Sequence, residues 1–184
     1  MGVNNFIVEM FDSLDWRNSL LQSYLSIECR DRNIETAKLL SENRVEALES
    51  IRDGFLSGSR VVVVQVPDMI EAEIIGSWTE VIYAIMFEVK AVRVMYNTFV
   101  GIVRKGEAEA VDLYTKAPFI IFMFPELALN SAWVQGTLVQ SLSGKKHIMI
   151  ITSNPKQMSS VFGDLVSKSL KKMGTRVIVM GDPA

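Results

Sequence analysis

Few side chains in this sequence could do chemistry, and the stretch after its first apolar β-branched run is the one to read first. That run is SRVVVVQV, residues 59–66, and the chain continues VPDMIEAEIIGSWTEVIYAI over 66–85. A loop that cradles phosphates needs glycines so that backbone N–H groups can converge on the oxygens. It then needs a lysine for their charge and a Ser or Thr for magnesium. This stretch has one glycine, Gly76, and no lysine, while Asp68, Glu71 and Glu73 crowd it with carboxylates. Carboxylates there repel a triphosphate even at a helix N-terminus. The expectation is a chain that neither binds nor hydrolyses a nucleoside triphosphate.

Other chemistries find less support. His147 is the only histidine and opens an apolar run with no Ser, Cys or Asp pattern around it, so neither a triad base nor a metal ligand is expected. Ser57, Ser59 and Ser77 lack the context of a nucleophile elbow. The single cysteine, Cys29, excludes an internal disulfide and a cysteine-based zinc site. No cofactor and no metal is expected. The ten methionines read mostly as core fillers.

The elements that would position these residues follow from periodicity. Residues 5–53 read as helical, beginning with Phe6, Ile7, Met10, Phe11 and Leu14 and ending in a helix from about Asn33 to Ile51. Gly54, Gly58 and the serines around Gly58 break the pattern. The run at 59–66 suits a strand buried on both faces, as in parallel sheets. A helix fits 68–89, a strand Val92 to Tyr96, and a short helix through Val103 that ends at Gly106. Strand 119–124 (FIIFMF) precedes a helix from about Ala128 to Leu142. Strand 147–152 (HIMIIT) precedes a helix from about Gln157 to Lys172. Gly174 acts as its cap, and strand 176–180 (RVIVM) closes the series. Strands alternating with helices imply an α/β fold with a doubly wound parallel sheet, here residues 56–184, preceded by an N-terminal helical segment, residues 1–55.

Composition agrees with a single globular domain: 184 residues, 49% hydrophobic and 22% charged. No run of 18 apolar residues suggests a membrane span, and the N-terminal MGVNNFIVEMFDSLDW lacks the basic region of a secretory signal. The cytoplasm is therefore the expected location. The net charge of −2 is uneven: residues 1–140 hold 12 basic and 19 acidic side chains, residues 141–184 hold 7 and 2. A basic C-terminal part can be a solvated surface, or can face phosphates or an acidic partner.

From about residue 60 to 181 the chain resembles the helicase-loader branch of AAA+ ATPases, the DnaC, DnaI and IstB type. GSWTEVIYAIMFEV is similar to the Walker A helix of that family, with Trp78 in place of the lysine and Thr79 keeping the hydroxyl. FIIFMFPEL resembles the Walker B strand, with Pro125 at the magnesium-linked Asp position and Glu126 at the catalytic Glu. KAVRVMYNTFVGIV resembles the second strand and its helix, and IMIITSNP the sensor strand, with Asn154 at the polar position. FGDLVSKSLKKMGTRVIVMGDP is similar to the last helix and strand, where Ser169, or Lys168 one residue earlier, stands in place of the trans-acting arginine. RecA-like recombinase paralogues share the strand order and are the nearest alternative.

The resemblance implies a P-loop-type core whose catalytic positions are altered. It implies a non-catalytic, ATPase-like subunit that assembles with a protein partner, or with its own copies, and acts in DNA replication, recombination or transposition. Lys145, Lys146, Lys168, Lys171, Lys172 and Arg176 are the candidate DNA-facing residues. Alternative expectations are a small-molecule-binding or enzymatic doubly wound domain, and an assembly adaptor with no nucleic-acid role. Each candidate also has a plain structural reading: Glu126 as a surface residue or helix cap, Asn154 as a turn or N-cap before Pro155, Trp78 as core.

Overall fold

A computed structural model of the chain describes residues 45–87, 91–126 and 128–179. The helices expected before residue 45 lie outside the described residues. In chain order the elements are α1 (Val45–Leu56), β1 (Val61–Gln65), α2 (Met69–Phe87), β2 (Ala91–Met95), α3 (Tyr96–Lys105), α4 (Ala108–Lys116), β3 (Phe119–Met123), α5 (Ala132–Ser143), β4 (His147–Thr152), α6 (Met158–Lys172) and β5 (Thr175–Val179). A single 3₁₀ turn, Pro155–Gln157, precedes α6.

The five strands form one sheet in the order β2-β3-β4-β1-β5, and every pairing is parallel. The expected doubly wound α/β core is therefore what the chain forms. The central strands read as continuous apolar runs because helices cover both their faces. Val61, Val62, Val63 and Val64 are each 0% exposed, as are Ile148 through Ile151. Burying each such side chain contributes roughly 1.5–3 kcal/mol.

Register assigns the two faces. Val61 pairs with Ile148 and Ile148 with Ile120, and all three belong to one buried cluster with Val63, Ile150 and Phe122. Onto this first face pack Phe99 and Val103 of α3, Leu138 and Leu142 of α5, and Val166 and Leu170 of α6. The second face is covered by α1 and α2. Gly54 of α1 lies against Val62, and Gly76 of α2 against Arg93 and Ile151. At the N-terminal ends of β3 and β4 this face carries an aromatic group. The Phe55 ring sits 5.2 Å from Phe119 and 4.9 Å from the His147 imidazole, and Tyr83 sits 4.2 Å from Phe119. Ile51 and Phe55, grouped by sequence with the N-terminal segment, are thus part of the sheet's packing.

Two boundaries and one added helix stand out against the sequence expectation. Tyr96 opens α3 rather than closing β2; Met95 is the last extended residue. Helix α5 starts at Ala132, where the Ser131 hydroxyl accepts from the Val134 N–H, so residues 128–131 precede the helix and do not form its first turn. Helix α4 was not expected from the sequence; within it Val111 and Tyr114 pack against the core. Gly174 takes the left-handed conformation (φ 79°) expected of a cap, and its N–H reaches the Lys171 carbonyl at 3.2 Å.

Candidate functional site

In open parallel sheets ligands gather outside the C-terminal ends of the strands, and three connections meet there. The first is Val66–Asp68, all that separates β1 from α2. Its Val66 N–H donates to the Thr152 carbonyl at 3.0 Å, which ties it to the end of β4. Asp68 then caps α2: its Oδ1 accepts from the Glu71 N–H at 2.9 Å. The positive end of the helix, where a phosphate would be held, is thus occupied by the chain's own carboxylate.

The segment similar to a Walker A helix lies deep inside α2. Met69 starts the helix, so Thr79 is ten residues, or about 15 Å, along it. Ser77 and Thr79 are each 2% exposed, and their hydroxyls donate to the helix's own carbonyls, Ser77 to Glu73 at 2.7 Å and Thr79 to Ile75 at 2.8 Å. The Thr79 hydroxyl is therefore away from the strand ends, contrary to the role its register implied. Trp78 lies between them on the same helix. Gly76 serves packing: a Cβ there would come within 2.8 Å of the Arg93 side chain. Arg93, from β2, bridges to Glu73 at 2.5 Å and to the buried Glu80 at 3.7 Å, and donates to the Ser77 hydroxyl at 3.2 Å. This clamp of β2 onto α2 carried no sequence signal beyond the acidic spacing.

The second connection follows β3. Phe124 has φ 46°, which a bulky side chain rarely adopts, and its N–H donates to the Ile151 carbonyl at 2.8 Å. Pro125 is buried and Glu126 exposed. The third connection follows β4. Asn154 is exposed, accepts from the Lys156 N–H at 3.2 Å and so caps the 3₁₀ turn, which is the plain reading of that residue. The structure therefore brings Asp68, Glu126 and Asn154 to one edge of the sheet, with Lys156 beside Asn154. It leaves Thr79 out.

The candidate DNA-facing residues lie at the other edge. Lys146 precedes β4, Lys168, Lys171 and Lys172 occupy the last turns of α6, and Arg176 is the second residue of β5; all five are exposed. Lys145 departs from the expectation. It is 2% exposed, and its ammonium donates to the carbonyls of Tyr114 and Ala117 at 2.5 Å each, closing the C-terminal end of α4. Burial pushes its pKa down to about 8. His147 is packed in the aromatic group with Phe55 and Tyr83. Its Nδ1 lies 3.0 Å from the Tyr83 hydroxyl, and burial, then the charges of Lys146 and Arg60, push its pKa down to about 4. No group of three metal-ligating side chains occurs among the described residues.

A joint between the first turns of α5 and α6 was not read from the sequence. Helix α6 is broken at Gly163 (φ 73°, ψ 170°). The Gln135 side chain of α5 fills the break: its Oε1 accepts from the Leu165 N–H at 3.2 Å, and its Nε2 donates to the Leu129 carbonyl at 2.8 Å. The Leu129 N–H in turn donates to the Val161 carbonyl at 2.8 Å. A lone glycine inside a helical pattern was the available signal.

No family model and no curated protein matches the chain. Solved structures do. A structural-genomics target from Streptococcus pyogenes serotype M3, described as a primosome component, superposes with a TM-score of 0.63 at 12% identity over 90% of this chain and 97% of that one. DnaI gives 0.56 at 11% identity over 77% and 83%. Domain III of the Thermotoga maritima replication initiation protein DnaA gives 0.56 at 15% over 77% and 64%. At such identities the likeness concerns the fold. With the observed strand order it defines the fold of this chain, a five-stranded all-parallel α/β core like that of these structures.

Proposed function

We propose that this chain is a non-catalytic, ATPase-like subunit that works through its surfaces in DNA replication, recombination or transposition, in assembly with a protein partner, and that it neither binds nor hydrolyses ATP. The observation that carries the reading is the β1–α2 junction. Three residues stand where a phosphate loop would need several glycines, and the Asp68 carboxylate occupies the helix end. Pro125, at the position of the magnesium-linked Asp, has no group to hold a cation. Without lysine or magnesium a triphosphate loses most of its charge compensation.

The direction toward DNA metabolism rests on the company the fold keeps: a primosome component, DnaI and a replication initiation protein. The exposed basic side chains of α6 and β5 agree with it. Assembly is supported by Trp133, 61% exposed at the start of α5, since exposed aromatic anchors are typical of interfaces. Titration calorimetry of the full chain with Mg-ATP is expected to give no heat of binding. Micromolar affinity would overturn the reading.

A further inference from the structure

We propose that the α5–α6 joint is a two-state latch: the Leu165 N–H exchanges between the Gln135 side chain and the Val161 carbonyl, and the exchange holds or releases the 124–131 connection. An α-helical bond from residue 165 to residue 161 needs helical dihedrals at 162–164. Gly163, at φ 73° and ψ 170°, breaks that run, so residues 164–172 begin a new helical segment whose first N–H groups need acceptors from outside it. Gln135 of α5 supplies one: its Oε1 accepts from the Leu165 N–H at 3.2 Å. The Val161 carbonyl has turned to another donor, the Leu129 N–H at 2.8 Å. Leu129 thus takes the place that Leu165 holds in a continuous helix. The Gln135 Nε2, donating to the Leu129 carbonyl at 2.8 Å, closes the set.

The alternative arrangement is built from the same atoms. Were Gly163 helical, the bonds of residues 164, 165 and 166 to residues 160, 161 and 162 would span it. The observed arrangement holds three bonds in their place, two of them on Leu129. The two sets exclude each other, since the Leu165 N–H serves one acceptor at a time and Leu129 occupies the Val161 carbonyl. Glycine balances them. It adopts the observed dihedrals without a Cβ penalty, and inside a helix it is the least favourable residue after proline. A Cβ at this position would meet the Gln135 amide at 2.5–2.7 Å.

What the latch holds is the connection after β3. Its start is tied by the Phe124 N–H to the Ile151 carbonyl at 2.8 Å, and Leu129, 2% exposed, is tied by the joint. Pro125 and Glu126 stand between these two ties, at the C-terminal strand ends where ligands of parallel sheets gather. Closing α6 removes both bonds of Leu129 and with them the second tie. Whatever draws the connection outward therefore favours a continuous α6, and whatever straightens α6 frees the connection. Trp133 and Leu165, exposed at 61% and 49%, flank the joint, so the surface they present differs between the two arrangements. The inference stands apart from any reading of nucleotide or DNA binding.

Amide hydrogen exchange and chemical shifts of the full chain, read by NMR, test it. Gln135→Ala removes the outside acceptor, and Gly163→Ala disfavours the dihedrals of the break. In each variant the Leu165 amide is expected to stay protected, within about threefold of the unmodified rate, because Val161 accepts it. The Leu129 amide should exchange about tenfold faster or more. The Cα shift of position 163 should move into the helical range. A Leu165 amide that loses protection together with Leu129 marks a joint that opens without an alternative, and overturns the proposal. So does an unchanged Leu129 rate in the Gln135→Ala variant, which keeps Gly163 and its backbone freedom. Cleavage after the exposed Glu126 by a glutamate-specific protease reads the released connection directly. It should accelerate in both variants by about tenfold, and an unchanged rate also overturns the proposal.

Discussion

His147 shows how burial converts a candidate catalytic residue into a structural one. Packed among Phe55, Tyr83 and Phe119, its ring has a pKa near 4, against about 6.5 in the unfolded chain. The folded state therefore resists protonation. The neutral ring costs nothing above pH 6.5, and stability falls as the pH drops from about 6.5 toward 4, because the unfolded chain takes up the proton first. The loss expected by pH 5 is about 2 kcal/mol. Urea titrations from pH 7.5 to 5 should show it, and His147→Phe, which keeps an aromatic ring in the group, should flatten the slope between pH 6.5 and 5. A variant with the unchanged slope would assign the acid sensitivity elsewhere. Tyr83, whose phenol burial pushes up to about 12, stays protonated throughout this window.

At the level of elements, the α5–α6 joint is the feature most exposed to single changes. Gly163→Ala would place a Cβ 2.5–2.7 Å from the Gln135 amide, at a φ that side chains rarely adopt. A destabilisation of about 2 kcal/mol or more is expected. Gln135→Ala leaves the Leu165 N–H and the Leu129 carbonyl without their partner, at about 1–3 kcal/mol. The two changes are not independent, because removing Gln135 also removes the clash. The double variant should lose less than the sum of the singles by more than about 0.5 kcal/mol in a denaturant double-mutant cycle. Strict additivity would show that the clash is relieved in some other way.

At the scale of the whole molecule, charge divides between the two edges of the sheet. Asp68, Glu71 and Glu126 lie at the C-terminal strand ends, where Lys156 is a basic exception, and Lys146, Lys171, Lys172 and Arg176 at the N-terminal ends, with Lys168 a turn away on α6. If DNA is a partner, it meets the edge opposite the one where a P-loop fold places its nucleotide. Lys168→Glu, Lys171→Glu and Lys172→Glu together are expected to abolish binding at physiological salt. Neutralising the three, as Lys→Gln, should reduce the log–log salt slope by up to about 3, as three lost phosphate contacts require. Asp68→Asn with Glu126→Gln should leave that slope unchanged. Fluorescence anisotropy with duplex and single-stranded oligonucleotides measures all of these, and absence of affinity in the unmodified protein at low salt removes DNA as a direct ligand.

The sequence by itself determined the parallel α/β core. Runs such as VVVV and HIMIIT read as strands covered on both faces, and most breaks between elements carry a glycine, proline or serine, the EVK before β2 being an exception. It also determined what is missing after β1, since the absence of a lysine and of a glycine cluster is a property of composition and not of packing. Tertiary structure decided the rest. Lys145 looks like any surface lysine until the C-terminal end of α4, some thirty residues earlier in the chain, supplies two carbonyls to its ammonium. Thr79 matches a motif by spacing, but the start of α2 at Met69 sets how far it stands from the strand ends. Gln135 and Gly163 are 28 positions apart and acquire their roles only where α5 crosses α6. Local periodicity records which way a residue faces along its own element. It does not record which element arrives to meet it.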